Sequence, residues 1–327
     1  MTKKVGLVIQ GPTLSKGGWG PKYTYAEFDS SKNIEVQYAL ARELGFEVIV
    51  STWKSNSLQN LLNIPPNDII QSDDYIIPYK NNIKNIASPG RNKYNQFYST
   101  LVGSCQLQDR GCTIIVKTRT DQLVQLRKLS EYLLKVDSDY LSNRVLVPYF
   151  DPEQPNYAED FYLVAETPTM IRLCNTFLHS KEIYINTHRD FFYKWLRINL
   201  NKSKVRPLVL NFFPRKPSYS EKQFEIILTG WRELFGPLPL EMHKELIWRG
   251  TNYSEFSQWD ETNVFFSETQ DLDFEKLIQE KVKIEGSALK FQLFESVTWL
   301  INSRFENFLR MLFGKVGLEI KKLRSRF

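Results

Sequence analysis

The sequence contains little cysteine and no long apolar run. Its 327 residues include three cysteines, which are dispersed in apolar surroundings without C-x-x-C spacing: Cys105, Cys112 and Cys174. This pattern argues against a disulfide framework or a cysteine zinc site, and it predicts buried thiols in a reducing compartment. No segment reaches the roughly 18 apolar residues that a membrane-spanning helix needs, and the first residues lack the apolar core of a signal peptide. We therefore expect a cytoplasmic protein.

Histidine is equally scarce, and several common nucleotide-binding and hydrolase motifs are missing. The three histidines are scattered without the spacing of a metal site, so structural or surface roles are expected for His179, His188 and His243. The sequence has no G-x-x-x-x-G-K-[ST] loop, and the glycines in residues 17–20 do not form G-x-G-x-x-G directly after a strand. It has no G-x-S-x-G motif either, which argues against an α/β-hydrolase.

The positive charge is concentrated at the C-terminus. Residues 314–327 contain five basic side chains and one acidic side chain, whereas the whole chain carries +6, so the main body is close to neutral. Nucleic acid is therefore not an expected partner. Residues 288–313 have the pattern of one long amphipathic helix, and with the basic tail they predict peripheral contact with an anionic membrane. A helix packed on the domain, followed by a solvated tail, is the alternative.

Short apolar runs alternate with helical patterns over the first 180 or so residues. Four of these runs, at residues 5–9, 47–53, 68–72 and 112–119, are typical of buried strands. The segments between them include amphipathic helices, for example at residues 92–107. This alternation predicts an α/β fold with a mostly parallel, doubly wound sheet and a Rossmann-type core.

The character of the sequence changes after about residue 185. Aromatic and basic segments separated by proline-rich turns follow, and helices are expected at residues 224–235 and 240–249. We therefore expect an α/β domain (1–185), a helical extension (186–285), and an amphipathic helix with a basic tail (286–327).

Polar residues stand at the ends of three predicted strands. They are Gln10, Gly11 and Pro12 after the first run, Ser51, Thr52 and Trp53 in the second, and Lys117, Arg119 and Asp121 in and after the fourth. In a parallel sheet these ends share one edge and line a single crevice, where open α/β sheets bind ligands. Gly11 lets a ligand approach the backbone, and Trp53 offers a stacking face, although core packing explains Trp53 equally well.

The charged end of the fourth strand indicates a ligand most directly. Lys117, Arg119 and Asp121 alternate along the strand and therefore fall on one face. A carboxylate between two cations suits a phosphate-bearing ligand, with the cations on phosphate and Asp121 on a divalent metal, Mg²⁺ or Mn²⁺. A structural ion-pair cluster is the alternative.

Two further segments carry candidate residues. Asn92 and Gln96 lie near the predicted start of a helix, a natural site for an anion or a hydroxyl group, although capping would also explain Asn92. Glu159 and Asp160 precede the apolar run at residues 161–165, where one of them could serve as a general base. For Asp160 the alternative is a turn cap.

Four short motifs, in order, resemble the WavE lipopolysaccharide synthesis family. They are Val-Ile-Gln-Gly-Pro (8–12), Ile-Val-Ser-Thr-Trp (49–53), Asn-Lys-Tyr-Asn-Gln-Phe-Tyr-Ser-Thr (92–100) and Val-Lys-Thr-Arg-Thr-Asp (116–121). Asp-Phe-Tyr (160–162) is similar to a later segment of that family. Its members look like glycosyltransferases of the GT-A fold that act on bacterial surface polysaccharide.

The resemblance implies a specific activity. The chain is expected to move a sugar from a nucleotide-sugar donor to a lipopolysaccharide or other surface-polysaccharide acceptor at the inner face of the bacterial inner membrane. Residues 1–185 would form the GT-A-like catalytic domain, and residues 186–285 the acceptor side. The strand-end residues, with Asn92 and Gln96, would bind the donor, and Asp121 and Asp160 would be catalytic.

The chain departs from the family pattern at two places. Residues 75–88 separate an acidic pair from Pro-Gly (89–90), which lie together in the family. Arg119 occupies the position of the first acid of the usual D-x-D metal pair. Two alternatives stay open: a sugar nucleotidyltransferase, which normally needs more than one acid for its metals, and a carbohydrate-binding protein without turnover.

Overall fold

The computed structural model describes most of the chain up to residue 252 and two short segments beyond it. The described residues are 3–16, 27–73, 89–180, 187–200, 218–252, 273–281 and 283–285. The insertion at residues 75–88, the amphipathic helix expected at 288–313 and the basic tail therefore lie outside the described residues. Within the described residues, no helix combines the length and the apolar character needed to cross a bilayer.

The described strands are mostly short. They are β1 (Val5–Gln10), β2 (Leu14–Lys16), β3 (Glu27–Asp29), β4 (Glu47–Trp53), β5 (Ile69–Ser72), β6 (Ile114–Arg119), β7 (Gln122–Leu123), β8 (Val145–Val147), β9 (Leu163–Glu166), β10 (Ser218–Ser220), β11 (Phe235–Pro237), β12 (Ile247–Trp248), β13 (Thr251–Asn252) and β14 (Lys283–Glu285).

The helices stand mainly between the strands of the first half. They are α1 (Ser31–Glu43), α2 (Pro89–Asp109), α3 (Leu126–Lys135), α4 (Ser138–Leu141), α5 (Thr167–His179), α6 (Thr187–Asn199), α7 (Glu221–Thr229), α8 (Leu240–Lys244) and α9 (Phe274–Lys281). A 3₁₀ turn (Pro66–Asp68) precedes β5, and a π-helical turn (Gly230–Leu234) precedes β11.

Seven strands form one central sheet in the order β11-β8-β9-β6-β1-β4-β5. β1 pairs parallel with both β4 and β6, β4 pairs parallel with β5, and β11 pairs parallel with β8. β9 is antiparallel to both of its neighbours, β6 and β8. The sequence-based prediction of an α/β fold with a mostly parallel, Rossmann-like sheet is therefore confirmed.

The central strands are apolar on both faces because helices cover both sides of the sheet. In β1, Val8 packs in the core that contains Phe97 of α2, whereas Leu7 and Ile9 pack in the core that contains Ile34 of α1. The side chains of all three β1 residues are fully buried. This two-sided burial explains why the strands appear in the sequence as continuous apolar runs.

The segment expected to be a helical extension contributes to the same sheet and the same core. β11 lies at the sheet edge beside β8, with Phe235 opposite Val145, and β12 pairs with β7. The predicted helices at 224–235 and 240–249 are therefore wrong at their C-terminal ends. α7 passes into the π-helical turn, and the fully buried Phe235 then continues as a strand.

Candidate functional site

The predicted strand ends share one edge of the central sheet. Gln10 of β1 lies opposite Ser51 of β4 on one side and opposite Arg119 of β6 on the other. The chain runs from β1 outward through β4 to β5, and α2 then returns it to β6 on the other side of β1. The order of strands therefore reverses between β1 and β6, which is where open α/β sheets bind ligands.

The turns after β1 and β6 are hydrogen-bonded to each other. The backbone N–H of Thr120 donates to the Gln10 carbonyl oxygen at 3.0 Å, and the Thr120 hydroxyl donates to the Pro12 carbonyl oxygen at 2.8 Å. Gly11 has φ +131°, and a Cβ atom there would lie 2.7 Å from the Thr120 Oγ1 atom. Glycine is thus required at position 11 by backbone conformation and by packing. Ligand binding by Gln10, Gly11 and Pro12 stays a prediction.

The end of β4 is tied to helix α2. The Ser99 Oγ atom lies within hydrogen-bonding distance of both the carbonyl oxygen and the hydroxyl oxygen of Ser51, at 2.8 Å from each. Ser51 and Thr52 are fully buried, and Trp53 is 8% exposed. This burial favours the core-packing interpretation of Trp53, and donor contacts by these three residues stay predictions.

Asp121 accepts hydrogen bonds from three side chains, and we call Arg119, Asp121, Trp248 and Arg249 the Asp121 cluster. The Arg119 guanidinium holds both carboxylate oxygens, with Nε and Nη2 each at 3.0 Å. The Trp248 indole N–H and the Arg249 Nε–H each donate to Oδ2, also at 3.0 Å. Burial by itself would raise the pKa of Asp121, but the Arg119 charge and the other donors outweigh it and hold this pKa below its usual range.

The hydrogen bonds of Asp121 leave little room for the metal ion that it was predicted to bind. Two guanidinium groups already neutralise the carboxylate, which is almost completely buried. A metal bound there would have to displace at least one of these cations. The prediction of Asp121 as a metal ligand is thus less well supported than the ion-pair alternative.

Lys117 connects the end of β6 with the segment before β9. Its ammonium is buried and donates to the backbone carbonyl oxygens of Asp160 and Phe161. Burial lowers the pKa of Lys117 to about 8, although the Asp160 carboxylate opposes this shift. Because β9 runs antiparallel to β6, with Leu163 opposite Lys117, the residues that precede β9 lie at the carboxyl edge of the parallel strands.

Glu159, Asp160 and His188 form a buried cluster at this edge, which we call the acid–histidine trio. The Nδ1 atom of His188 lies 3.2 Å from Oε1 of Glu159 and 3.0 Å from Oδ1 of Asp160. Both carboxylates are nearly inaccessible to solvent, whereas the His188 side chain is 17% exposed. One ligand atom from each of the three residues lies within 4.8 Å of the others, so the trio could hold a metal ion.

The pKa values of the trio are shifted in different directions. Burial raises the pKa of Glu159. Burial would also raise that of Asp160, but the charges of His188, Lys117 and Arg119 outweigh it and lower this pKa. Burial opposes protonation of His188, yet the two carboxylates prevail and raise its pKa. The backbone N–H of Asp160 also lies 3.3 Å from Nδ1, but the two nearer carboxylates favour a protonated nitrogen.

Of the two helix residues predicted for the site, Gln96 reaches this cluster. Its side-chain amide donates to Oδ2 of Asp160 at 2.7 Å, so Gln96 positions a carboxylate. The side chain of Asn92 lies outside the described residues, although α2 begins at Pro89 and includes this position.

Three residues of the site were not predicted from the sequence: His188, Trp248 and Arg249. His188 is separated from Asp160 by 28 positions and has no regular spacing with it. Arg249 has φ +50° and precedes Gly250 with φ +80°, which suits the tight turn between β12 and β13. Arg-Gly after two apolar residues is a weak turn signal that could have indicated a hairpin, but not its contact with Asp121.

No protein-family model and no curated protein matches this chain.

Proposed function

We propose that this protein is a glycosyltransferase with a GT-A-like core, which transfers a sugar from a nucleotide-sugar donor to a bacterial lipopolysaccharide or other surface-polysaccharide acceptor. The observation that carries the proposal is the position of the Asp121 cluster beside β1, where the order of strands in the sheet reverses. This is the place at which open α/β sheets bind phosphate-bearing ligands.

The charge of the Asp121 cluster suits the leaving group of such a reaction. Arg119 and Arg249 share one carboxylate, so the cluster carries one excess positive charge. The Arg119 side chain is 23% exposed, and its guanidinium can contact phosphate oxygens while it stays paired with Asp121. Breaking the bond between sugar and nucleotide leaves negative charge on the diphosphate, and fixed cations stabilise that charge.

A divalent metal, Mg²⁺ or Mn²⁺, belongs to the proposal as a second source of positive charge for the diphosphate. Asp121 was predicted to hold it, but its carboxylate is occupied by two arginines. The acid–histidine trio offers two carboxylates and an imidazole, which is a better set of metal ligands.

The environments of Glu159 and Asp160 do not favour proton transfer by either carboxylate. The pKa of Asp160 is lowered by the cations around it, which makes this carboxylate a poor proton acceptor. Burial raises the pKa of Glu159, but its Oε2 already accepts hydrogen bonds from Tyr149 and Tyr157. These environments favour a ligand or electrostatic role for both carboxylates.

The test is a panel of UDP-, GDP- and CMP-sugars, with Mn²⁺, scored by thermal shift and then by release of the free nucleotide with glycan acceptors. We expect one nucleotide class to raise the melting temperature and to turn over. Arg119→Lys keeps the charge but loses bidentate contact, so donor affinity should fall by about tenfold or more. Arg127→Lys, at an exposed position on α3, is the matched control.

Each other outcome identifies a different activity. Release of pyrophosphate from a nucleoside triphosphate and a sugar phosphate would indicate a nucleotidyltransferase. Glycan binding without nucleotide release would indicate a carbohydrate-binding protein, and absence of any nucleotide-dependent shift would reject the proposal. Peripheral contact of residues 314–327 with anionic lipid is a separate part of it, tested by vesicle binding of a chain lacking them.

A further inference from the structure

We propose that Glu159, Asp160 and His188 form a divalent-metal site that binds Mn²⁺ or a similar transition ion in preference to Mg²⁺. The existence of the site follows from the geometry of the described residues. Only its use in neutralising a donor diphosphate rests on the function proposed above.

The spacing of the ligand atoms suits a single cation. The Nδ1 atom of His188 lies 3.2 Å from Oε1 of Glu159 and 3.0 Å from Oδ1 of Asp160. Ligand atoms that lie about 2.1 Å from a metal and at right angles to each other are about 3 Å apart. A small movement of the side chains is therefore enough to place all three atoms around one ion.

Other side chains hold the carboxylates in this orientation. Gln96 donates to Oδ2 of Asp160 at 2.7 Å, and Tyr149 and Tyr157 donate to Oε2 of Glu159 at 3.3 and 3.4 Å. Each carboxylate is thus bound through one oxygen and directs the other toward His188. Hydrogen bonds of this kind fix the orientation of metal ligands in known sites.

The Oε1 atom of Glu159 gives an independent indication of a ligand. It is buried and makes no hydrogen bond of regular geometry with the described residues, although the Nδ1 atom of His188 lies 3.2 Å away. A cation placed next to such a buried carboxylate oxygen stabilises it further. A proton on the Nδ1 atom of His188 points toward one acceptor, so it does not form equally good hydrogen bonds to both carboxylates. A divalent ion can bind both carboxylates at once.

The charges of the whole edge favour a cation at the same place. Among the described residues of the two clusters and the neighbouring Lys117, three cations (Lys117, Arg119 and Arg249) offset the three carboxylates of Asp121, Glu159 and Asp160. A protonated His188 adds one positive charge, which is less than the two negative charges of a diphosphate diester. A divalent ion in the trio supplies two positive charges, as many as a diphosphate diester requires.

The ligand types favour a transition ion over Mg²⁺. Mg²⁺ prefers oxygen ligands and keeps several waters, whereas imidazole binds Mn²⁺, Co²⁺ and Zn²⁺ more readily. Two carboxylates with one imidazole therefore select the transition ions, and Mg²⁺ should compete poorly with Mn²⁺.

The experiment is a titration of the full chain with Mn²⁺ alone, followed by electron paramagnetic resonance of the free ion, without any nucleotide. We expect one Mn²⁺ per chain. Glu159→Gln and His188→Gln should each weaken Mn²⁺ binding by about tenfold or more. The matched controls at exposed positions, Glu131→Gln and His179→Gln, should bind Mn²⁺ as the wild type does.

Asp121→Asn separates the two possible positions of the metal. If Asp121→Asn binds Mn²⁺ as the wild type does, the result supports a metal site in the trio. If Asp121→Asn loses Mn²⁺ binding while Glu159→Gln and His188→Gln keep it, the proposed site in the trio is overturned. Absence of Mn²⁺, Co²⁺ and Zn²⁺ binding by the wild type also overturns it, as does displacement of Mn²⁺ by an equal concentration of Mg²⁺. Circular dichroism checks each variant, and if one is unfolded, the other trio variant decides.

Failure of this inference is distinguishable from failure of the proposed function. Mn²⁺ binding without any nucleotide-sugar turnover would keep the metal site and reject the glycosyltransferase. Nucleotide-sugar turnover that is undiminished in EDTA would reject the metal site and keep the glycosyltransferase, with Arg119 as the phosphate-binding cation.

Discussion

The Asp121 cluster and the acid–histidine trio lie at the same edge of the sheet but have opposite charge imbalances. In the Asp121 cluster two guanidiniums surround one carboxylate, and every donor is a fixed side chain. In the trio two adjacent carboxylates face one imidazole. The first arrangement is complete without a ligand, whereas the second favours an additional cation.

This difference assigns different tasks to the two clusters. A carboxylate saturated by arginines holds those arginines in place and leaves their remaining N–H groups for an anion. Two adjacent carboxylates that share one imidazole can bind an exchangeable cation as well. Under the proposals above, the Asp121 cluster supplies permanent positive charge to the ligand, and the trio supplies charge that depends on the metal available.

The largest effect should come from neutralising the carboxylate of the Asp121 cluster. Asp121→Asn leaves Arg119 and Arg249 without their anionic partner in a buried position, so we expect the free energy of unfolding to fall by about 3–5 kcal/mol. Urea denaturation measures this change. Asp109→Asn, at an exposed position, is the control, and a loss below about 1 kcal/mol for Asp121→Asn would show that the cluster is not a structural ion pair.

The next largest effect concerns pH. Lys117 loses its proton near pH 8 in the folded protein and near 10.5 in the unfolded chain, so between these values the unfolded state binds more protons. The free energy of unfolding should therefore rise with pH across this range, by at most about 3 kcal/mol. Lys117→Met should remove this rise relative to wild type. A pH dependence unchanged from that of the exposed control Lys128→Met would contradict the lowered pKa.

A smaller loss should follow removal of one donor to Asp121. Trp248→Phe deletes the indole N–H that bonds to Oδ2, and hydrogen bonds to charged groups contribute about 1.5–3 kcal/mol. Trp53→Phe removes the same ring volume at the same exposure of 8% and is the matched control. Thermal unfolding compares the two variants, and equal losses would mean that the bond to Asp121 contributes nothing.

The smallest effect, and one of opposite sign, is expected in the trio. Glu159→Gln removes one of two adjacent buried carboxylates, so without metal the free energy of unfolding should stay equal or rise by up to about 1 kcal/mol. Urea denaturation in EDTA at pH 7 tests this. If the free energy of unfolding of Glu159→Gln fell as much as that of Asp121→Asn, the carboxylates of the trio would be as fully neutralised by protein cations as Asp121 is.

Much of the sheet and of its carboxyl edge could be predicted from the sequence. Strands buried on both faces appear as apolar runs, and the polar residues that end them mark the carboxyl edge. The pairing of Gln10 with Ser51 and Arg119 agrees with that prediction. Gln96 was predicted to bind the donor; its side chain contacts Asp160 at this edge, and the binding role stays a prediction.

The remaining features depend on contacts that local pattern does not encode. A short, mostly apolar strand such as β9 carries no information about its direction, so the approach of Glu159 and Asp160 to Lys117 was not predictable. His188 and Arg249 each meet their partners through the tertiary fold, without a spacing motif. The helix predicted at 224–235 failed at its end for the same reason, because the pairing of Phe235 with β8 overrides local helical preference.

The contact of Asp121 with Trp248 and Arg249 has a consequence for the order of folding. These partners lie 127 and 128 positions later in the chain. A chain emerging from the ribosome can assemble β1, β4 and β6 long before residues 248 and 249 are made. Until then the Asp121 carboxylate has Arg119 as its neighbour but lacks its later donors. Completion of the charged edge is therefore expected to be a late folding event, slowed by the long loop that must close.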